Sequence, residues 1–370
     1  MNGLRAALCL AVGFCLALPA VAKDIVVAQT LDLSGLSNLG KDFSNGVRTY
    51  FDAVNARGGV RGRRISFVQL DDSGRAADAL ANVDKLLLEN DVDVMIAPTS
   101  EETLLAAANA PRVRASGLMM VGAPTGADLE RAGIASRAMS VRATYRDEAR
   151  VLLDYLKTFS EGAVALVRGD GPDAVACALA LREEASARGI VLAFDGAAQY
   201  WQQRSAASKP FISAVVIAGD ALGVAPVLQH ARKTAPMATV FGFSTVDHRT
   251  LIEIAGAAAK GMLLTQAVPP PGKTIFAFQR EHRALMKQYR DEPPSQHTLE
   301  GYVVARMLVA ALERVEGEPT ASKVSAALRA APAMDFGPMR VSGRGVATNT
   351  GANNRYVDMT AISSKGGLVE

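Results

Sequence analysis

Few residues in this chain offer chemistry, and their spacing offers less. Four histidines stand at 230, 248, 282 and 297. None has a metal-ligand partner at the spacing a zinc site needs. They read as surface or core-edge side chains. The three cysteines, Cys9, Cys15 and Cys177, form no Cys-x-x-Cys pair. Gly58-Gly59-Val60-Arg61-Gly62 is glycine-rich, but a phosphate loop would add Lys and Ser or Thr and open a helix, whereas this run follows one. No Gly-x-Gly-x-x-Gly fingerprint follows the first apolar run. Ser34-Gly35 lacks the flanking glycines of a nucleophile elbow. Asp71-Asp72 suggests a metal or a shared proton, but its place before a helix favours capping. No cofactor, metal ion or catalytic residue is therefore expected.

The elements that would position these residues alternate. Ile25–Ala28 is a short apolar run, ended by a loop with Ser34, Gly35 and Gly40. Phe43, Val47, Tyr50 and Val54 recur at helical spacing. The helix stops at Gly58-Gly59, where glycine accepts the left-handed backbone of a helix end. Strands are expected at Ile65–Leu70, Val92–Ala97 and Leu118–Val121, with helices around Leu80–Leu87 and over 102–114. A second series begins near residue 143. It has a helix face at Val151, Leu152, Tyr155 and Phe159, a strand Ala163–Val167, and a helix Pro172–Arg188 with proline in its first turn. Further strands are expected at Ile190–Phe194, Ala214–Ala218, Thr239–Phe243 and Met262–Thr265. Pro269-Pro270-Pro271-Gly272 reads as a stiff connector. Helices Phe276–Tyr289 and Thr298–Val315 follow, then strand-like Met339–Val341 and Tyr356–Ile362. Repeated β-α units imply parallel sheets covered by helices on both faces.

The amino terminus reads as a leader. Arg5 precedes an apolar run that ends at Pro19-Ala20-Val21-Ala22, a basic, apolar and small-x-small order. Cleavage after Ala22 would give a periplasmic chain starting at Lys23. Phe14 before Cys15 argues against a lipid anchor. Loss of Cys9 and Cys15 leaves Cys177 alone, so no intrachain disulfide is expected. The remaining chain of about 350 residues exceeds what one core usually supports, which argues for two domains. The formal charge of the whole chain is +3, from 40 Lys and Arg against 37 Asp and Glu. Loss of Arg5 with the leader lowers it by one, and neither nucleic acid nor an anionic membrane is an expected partner.

Asn55-Ala-Arg-Gly-Gly-Val-Arg-Gly62-Arg, followed by a strand and Asp71-Asp72, resembles type I periplasmic binding proteins of the leucine/isoleucine/valine class. Pro124–Ala127 and Val141-Arg-Ala-Thr-Tyr-Arg-Asp-Glu148 look like that family's exit from the first lobe and its first crossover. Gly261–Pro269 looks like the second crossover. Leu299-Glu-Gly-Tyr302-Val-Val-Ala-Arg is similar to its late helix. Met339-Arg-Val and Arg355-Tyr-Val-Asp-Met-Thr resemble its closing strands. The resemblance implies an α/β fold of two Rossmann-like lobes with parallel-rich sheets, joined by a three-strand hinge. Lobe one would hold 23–142 plus 270–342, and lobe two 143–269 plus 343–370. It also implies that ligand binds between the carboxyl ends of the facing strands.

The loops after those strands supply the expected ligand-binding residues: Ser34, Leu39, Ser100, Glu101, Thr103, Thr125, Asp170, Pro172, Asp220 and Ser244. Several depart from the family's amino-acid clamp. Glu101 stands nearest the Ser or Thr that helps hold a ligand carboxylate. Pro172 replaces an aromatic ring, Ser244 the acid that meets an ammonium group, and Leu39 an aromatic in the first loop. The ligand is therefore expected not to be an ordinary aliphatic α-amino acid, and Glu101 with Asp220 would suit a donor-rich or cationic end.

Three functions fit. The leading one is a monomeric, non-enzymatic receptor that binds a small polar molecule and delivers it to the membrane permease and ATPase of an ABC-type importer. A ligand-sensing module coupled to a membrane signalling partner would share the fold; permease genes or a sensor-kinase gene beside its own would distinguish the two. An exported α/β enzyme would need a nucleophile-base pair that the sequence does not supply. The leader reading is checked by the intact mass of exported protein. The expected amino terminus is Lys23; a chain retaining Met1, or one acylated at Cys15, would overturn it.

Overall fold

The structure, a computed structural model, describes residues 23–159, 162–343 and 354–369. The leader reading, with Arg5, Cys9 and Cys15, lies outside the described residues. In chain order the first elements are β1 (Ile25–Leu31), α1 (Leu39–Ala56), β2 (Ile65–Asp71), α2 (Ala76–Glu89), β3 (Val94–Ile96), α3 (Glu101–Asn109), α4 (Pro111–Ser116), β4 (Met120–Ala123), β5 (Ala138–Ser140) and α5 (Tyr145–Phe159). There follow β6 (Ala163–Arg168), α6 (Pro172–Ala187), β7 (Leu192–Ala197), α7 (Ala198–Trp201), β8 (Ile212–Ala218), α8 (Ala221–Thr234), β9 (Thr239–Gly242), α9 (His248–Ala255) and β10 (Leu263–Gln266). The last are α10 (Ala277–Tyr289), α11 (Gln296–Leu312), α12 (Ala321–Ala330), β11 (Met334–Phe336), β12 (Met339–Val341) and β13 (Asp358–Ala361).

Among the described residues these strands form two main sheets. The first runs β2-β1-β3-β4-β5, with every pair parallel. The second runs β13-β10-β9-β8-β6-β7 and is parallel except for β13, which pairs antiparallel with β10. Successive strand residues face opposite sides of a sheet. In β8, Val215 and Ile217 therefore join the core under α8 and α9, while Ala214, Val216 and Ala218 join the core under α5 and α6. In β1, Ile25 and Val27 face α1 and α11, whereas Ala28 faces α2 and α3. The chain leaves the first sheet after β5 and the second after β10; β11 and β12 form a separate two-stranded sheet before β13 joins the second.

The α/β architecture matches expectation, with local corrections. The helix expected over 102–114 is two helices, because Pro111 has no amide hydrogen to continue α3 and instead opens α4. The three-residue strands β5 and β11 were not expected. Asp71-Asp72 does not cap α2, whose N-cap is Arg75 with no side-chain hydrogen bond. Asp72 instead accepts from Thr30 Oγ1 at 2.9 Å and Gly74 N at 3.0 Å, and Asp71 from Leu33 N at 2.9 Å. His282 and His297 are not at a surface or core edge; both are buried.

Helices α1 and α11 cross at closest approach through two glycines. A Cβ at Gly46 would stand 2.0 Å from the Thr298 carbonyl oxygen, and one at Gly301 2.1 Å from that of Phe43. Alanine would add helix propensity, at most about 1 kcal/mol. Forcing two backbones apart in a packed core costs about 1–3 kcal/mol, so the clash wins. Gly46→Ala and Gly301→Ala are each predicted to lower stability to urea by about 1–2 kcal/mol. An unchanged urea midpoint would contradict this packing.

Candidate functional site

In an open parallel sheet, a crevice forms where the chain leaves neighbouring strands in opposite directions. The first sheet reverses between β1 and β3, the second between β6 and β8. The loops at these four strand ends face one another across a cleft of about 210 Å³. Asp32, Ser37 and Leu39 line it from beyond β1, Thr99, Ser100 and Glu102 from beyond β3, and Pro124 from beyond β4. The opposite wall is Asp170, Gly171 and Asp173 from beyond β6, Asp220 from beyond β8, Thr245 from beyond β9, and the ring of Tyr145. Among the described residues no lysine or arginine lines the cleft. Like unit charges roughly 5 Å apart repel by about 3 kcal/mol at an effective dielectric near 20, so an anionic ligand would meet a strongly unfavourable wall.

At one corner the two walls are tied together by Asp173. Its Oδ1 accepts from Tyr145 Oη at 2.8 Å and from Thr125 Oγ1 at 3.3 Å, and those hydroxyls lie 3.0 Å apart. The carboxylate also accepts the backbone N–H of Glu101, at the start of α3. Gly126 makes room for this knot, since a Cβ there would stand 2.5 Å from the Tyr145 ring. Burial pushes the Asp173 carboxyl up despite these donors. Burial, with Asp173 as like-charged neighbour, pushes Glu101 up to about 7. Glu101 Oε2 is buried without a hydrogen-bond partner and faces a second cavity of about 640 Å³ behind the knot.

A second cluster ties the halves together at the crossovers. Arg142, between β5 and α5, is 2% exposed and forms ion pairs at 3.6 Å with Glu148 of α5 and with Glu300 of α11. It donates to the Pro124 carbonyl at 2.6 Å and to Ser244 Oγ. Burial opposes its charge, but Glu300 and Glu148 outweigh it and raise the guanidinium's pKa. Glu148 accepts from Ser244 N at 3.0 Å, Ser244 Oγ at 2.8 Å and Thr265 Oγ1.

Of the expected residues, the structure brings Leu39, Ser100, Asp170 and Asp220 to the cleft wall. Thr125 lies in the Asp173 knot, and Glu101 contributes its amide there while its carboxyl faces the rear cavity. Thr103 and Ser100 cap α3 reciprocally, with Thr103 N donating to Ser100 Oγ at 3.2 Å. Pro172 is the first residue of α6. Ser34 is exposed and shares a hydrogen bond of 3.1 Å with Ser73; it does not line the cleft. Ser244 is 4% exposed and belongs to the Arg142 cluster, not the cleft wall. Sequence reasoning missed Asp32, Tyr145 and Asp173. An acid beside Pro172 in a helix's first turn was the available signal for Asp173.

The raised Glu101 carboxyl has a consequence for pH. Its folded-state value lies above its unfolded one, so its contribution to stability is present below about pH 4.5 and is lost as pH rises through about 7. Glu101→Gln should remove that component: the gap in melting temperature, variant minus wild type, should grow from pH 4.5 to pH 7.5. A gap that stays constant would refute the assignment.

Known proteins share this fold. The profile of the periplasmic binding protein family matches residues 24–367. A Leu/Ile/Val-binding protein of Rhizobium johnstonii is 22% identical over 321 residues, 84% of this chain and 85% of that one. A possible leucine/isoleucine/valine-binding protein from Rhodopirellula baltica superposes with a TM-score of 0.83 at 22% identity, covering 96% of this chain and 98% of the other. A fatty acid ABC transporter substrate-binding protein from Thermomonospora curvata does so with a TM-score of 0.78 at 18% identity, covering 94% and 91%. The resemblance to periplasmic binding proteins of the leucine/isoleucine/valine class is borne out. With its profile matched across nearly the whole described length, and with this fold, the chain belongs to the periplasmic binding protein family.

Proposed function

We propose that the chain is the extracytoplasmic receptor of an ATP-driven importer, exported by a leader cleaved after Ala22 and working as a monomer. Lobe one would comprise 23–142 plus 270–342, and lobe two 143–269 plus 343–370. Ligand would enter between them, and the closed form would dock on the permease. One observation carries the reading: a single cleft is walled by the strand-end loops of both sheets, at the reversal point of each. Membership of a family of binding proteins favours capture over turnover.

Contacts across the cleft support a closing motion about the crossovers. Besides the Asp173 knot, Arg131 pairs with Glu183 at 2.8 Å, Asn38 Nδ2 meets Thr250 Oγ1 at 3.4 Å, and Arg249 pairs with Asp42. Arg131–Glu183 is exposed, and a pair of that kind is worth about 1 kcal/mol or less, weak enough to open and re-form. A bound ligand would add contacts available only in the closed form. Small-angle scattering should therefore give a smaller radius of gyration with saturating ligand than without, and the bound curve should match the arrangement described above. An unchanged radius at saturation would refute closure.

A further inference from the structure

We propose that the ligand is a small organic cation without a carboxylate group, held by Asp32, Asp170 and Asp220; this rests on the receptor reading above. A helix N-terminus receives an anion well, because its first amides have no partners within the helix. One such place in this cleft is the start of α3, and the protein's own Asp173 fills it from the opposite wall. Asp173 takes the Glu101 N–H and is met by the hydroxyls of Tyr145 and Thr125. The hydroxyl of Ser100 is committed to Thr103. Two donors at this helix start, the Glu101 amide and the Ser100 hydroxyl, are thus already used within the protein.

Three further carboxylates line the open volume from both walls. Asp170 is exposed at the end of β6 and lines the cleft. Asp220 caps α8 through Oδ1, which accepts from Gly223 N at 2.9 Å, and Asp32 uses Oδ1 for Gly35 N at 2.7 Å. Each keeps its second oxygen for a ligand. The three come from both walls, so a cation between them would be contacted by both lobes and would favour closure. A space of about 210 Å³ suits only a small molecule.

The test is a thermal-shift and scattering series on the mature protein with putrescine, agmatine and choline, set against leucine, isoleucine, valine, glutamate and urea. At least one of the cations should raise the melting temperature and reduce the radius, while leucine, isoleucine, valine and glutamate should do neither. Asp170→Asn with Asp220→Asn should weaken that cation's binding by about tenfold to a hundredfold, the loss expected for charge-assisted contacts, while keeping the α8 cap. Asp173→Ala should lose melting temperature that sodium formate restores and sodium chloride does not; wild type should not respond to formate. Compaction by an amino acid or urea, with none of the cations binding, would overturn the inference and leave the receptor reading standing. An affinity indifferent to the double substitution would overturn it as well. No compaction by any compound would overturn both.

Discussion

A single buried guanidinium holds the two halves in register. Arg142 sits where the first crossing leaves β5, and moving an unpaired ion of its kind out of water costs several kcal/mol. Its partners come from different halves: Glu148 from α5, beside the second sheet, and Glu300 from α11, packed against the first. The charge is satisfied only when both halves are in place. Ser244 and Thr265, at the ends of β9 and β10, complete the carboxylate shell of Glu148. Under the closing motion proposed above, burial and this shell would make the crossover region a firm pivot. The contacts at the far edge of the cleft include exposed pairs such as Arg131–Glu183, which solvent weakens. Rotation about a stiff hinge with a yielding edge is the mechanical form of domain closure.

The same arrangement explains why the cleft differs from what its loops alone suggest. Glycine at 46 and 301 lets α11 lie close on α1, which brings Glu300 within reach of Arg142. Glycine at 126 admits the Tyr145 ring, and the ring's hydroxyl then meets Asp173. Close backbone approach thus decides which polar groups are spent inside the protein and which are left for a ligand.

Much of the fold was legible, since the period of two in strands such as Ala214–Ala218 and the helical spacing from Phe43 to Val54 are local signals. Strands β5 and β11 escaped because three residues hold barely one period. Asp71-Asp72 misled because an acid before a helix can cap it or tie down the preceding loop, and only the chain path decides. At the site, the strand-end rule found the right loops and so reached Asp170 and Asp220. It could not tell which side chain in a loop faces inward. Glu101 and Ser244 therefore stood in for neighbours: the cleft is met by Glu102 and Thr245, one residue further on. Asp173 was hidden because its role arises only when Thr125, 48 positions away in sequence, crosses the gap to meet it.

The last strand has a consequence for how the chain is made. β13 closes the second sheet by pairing Leu263 with Ala361, and the first sheet's inner face is covered by α11. Neither half is finished until the final third of the polypeptide has emerged. Long-range closures of this kind are slow, because loop entropy must be overcome before the contacts form. During synthesis, the unfinished halves leave apolar strand faces open for chaperones. For a chain exported as proposed above, that delay would favour passage through the membrane before the halves close.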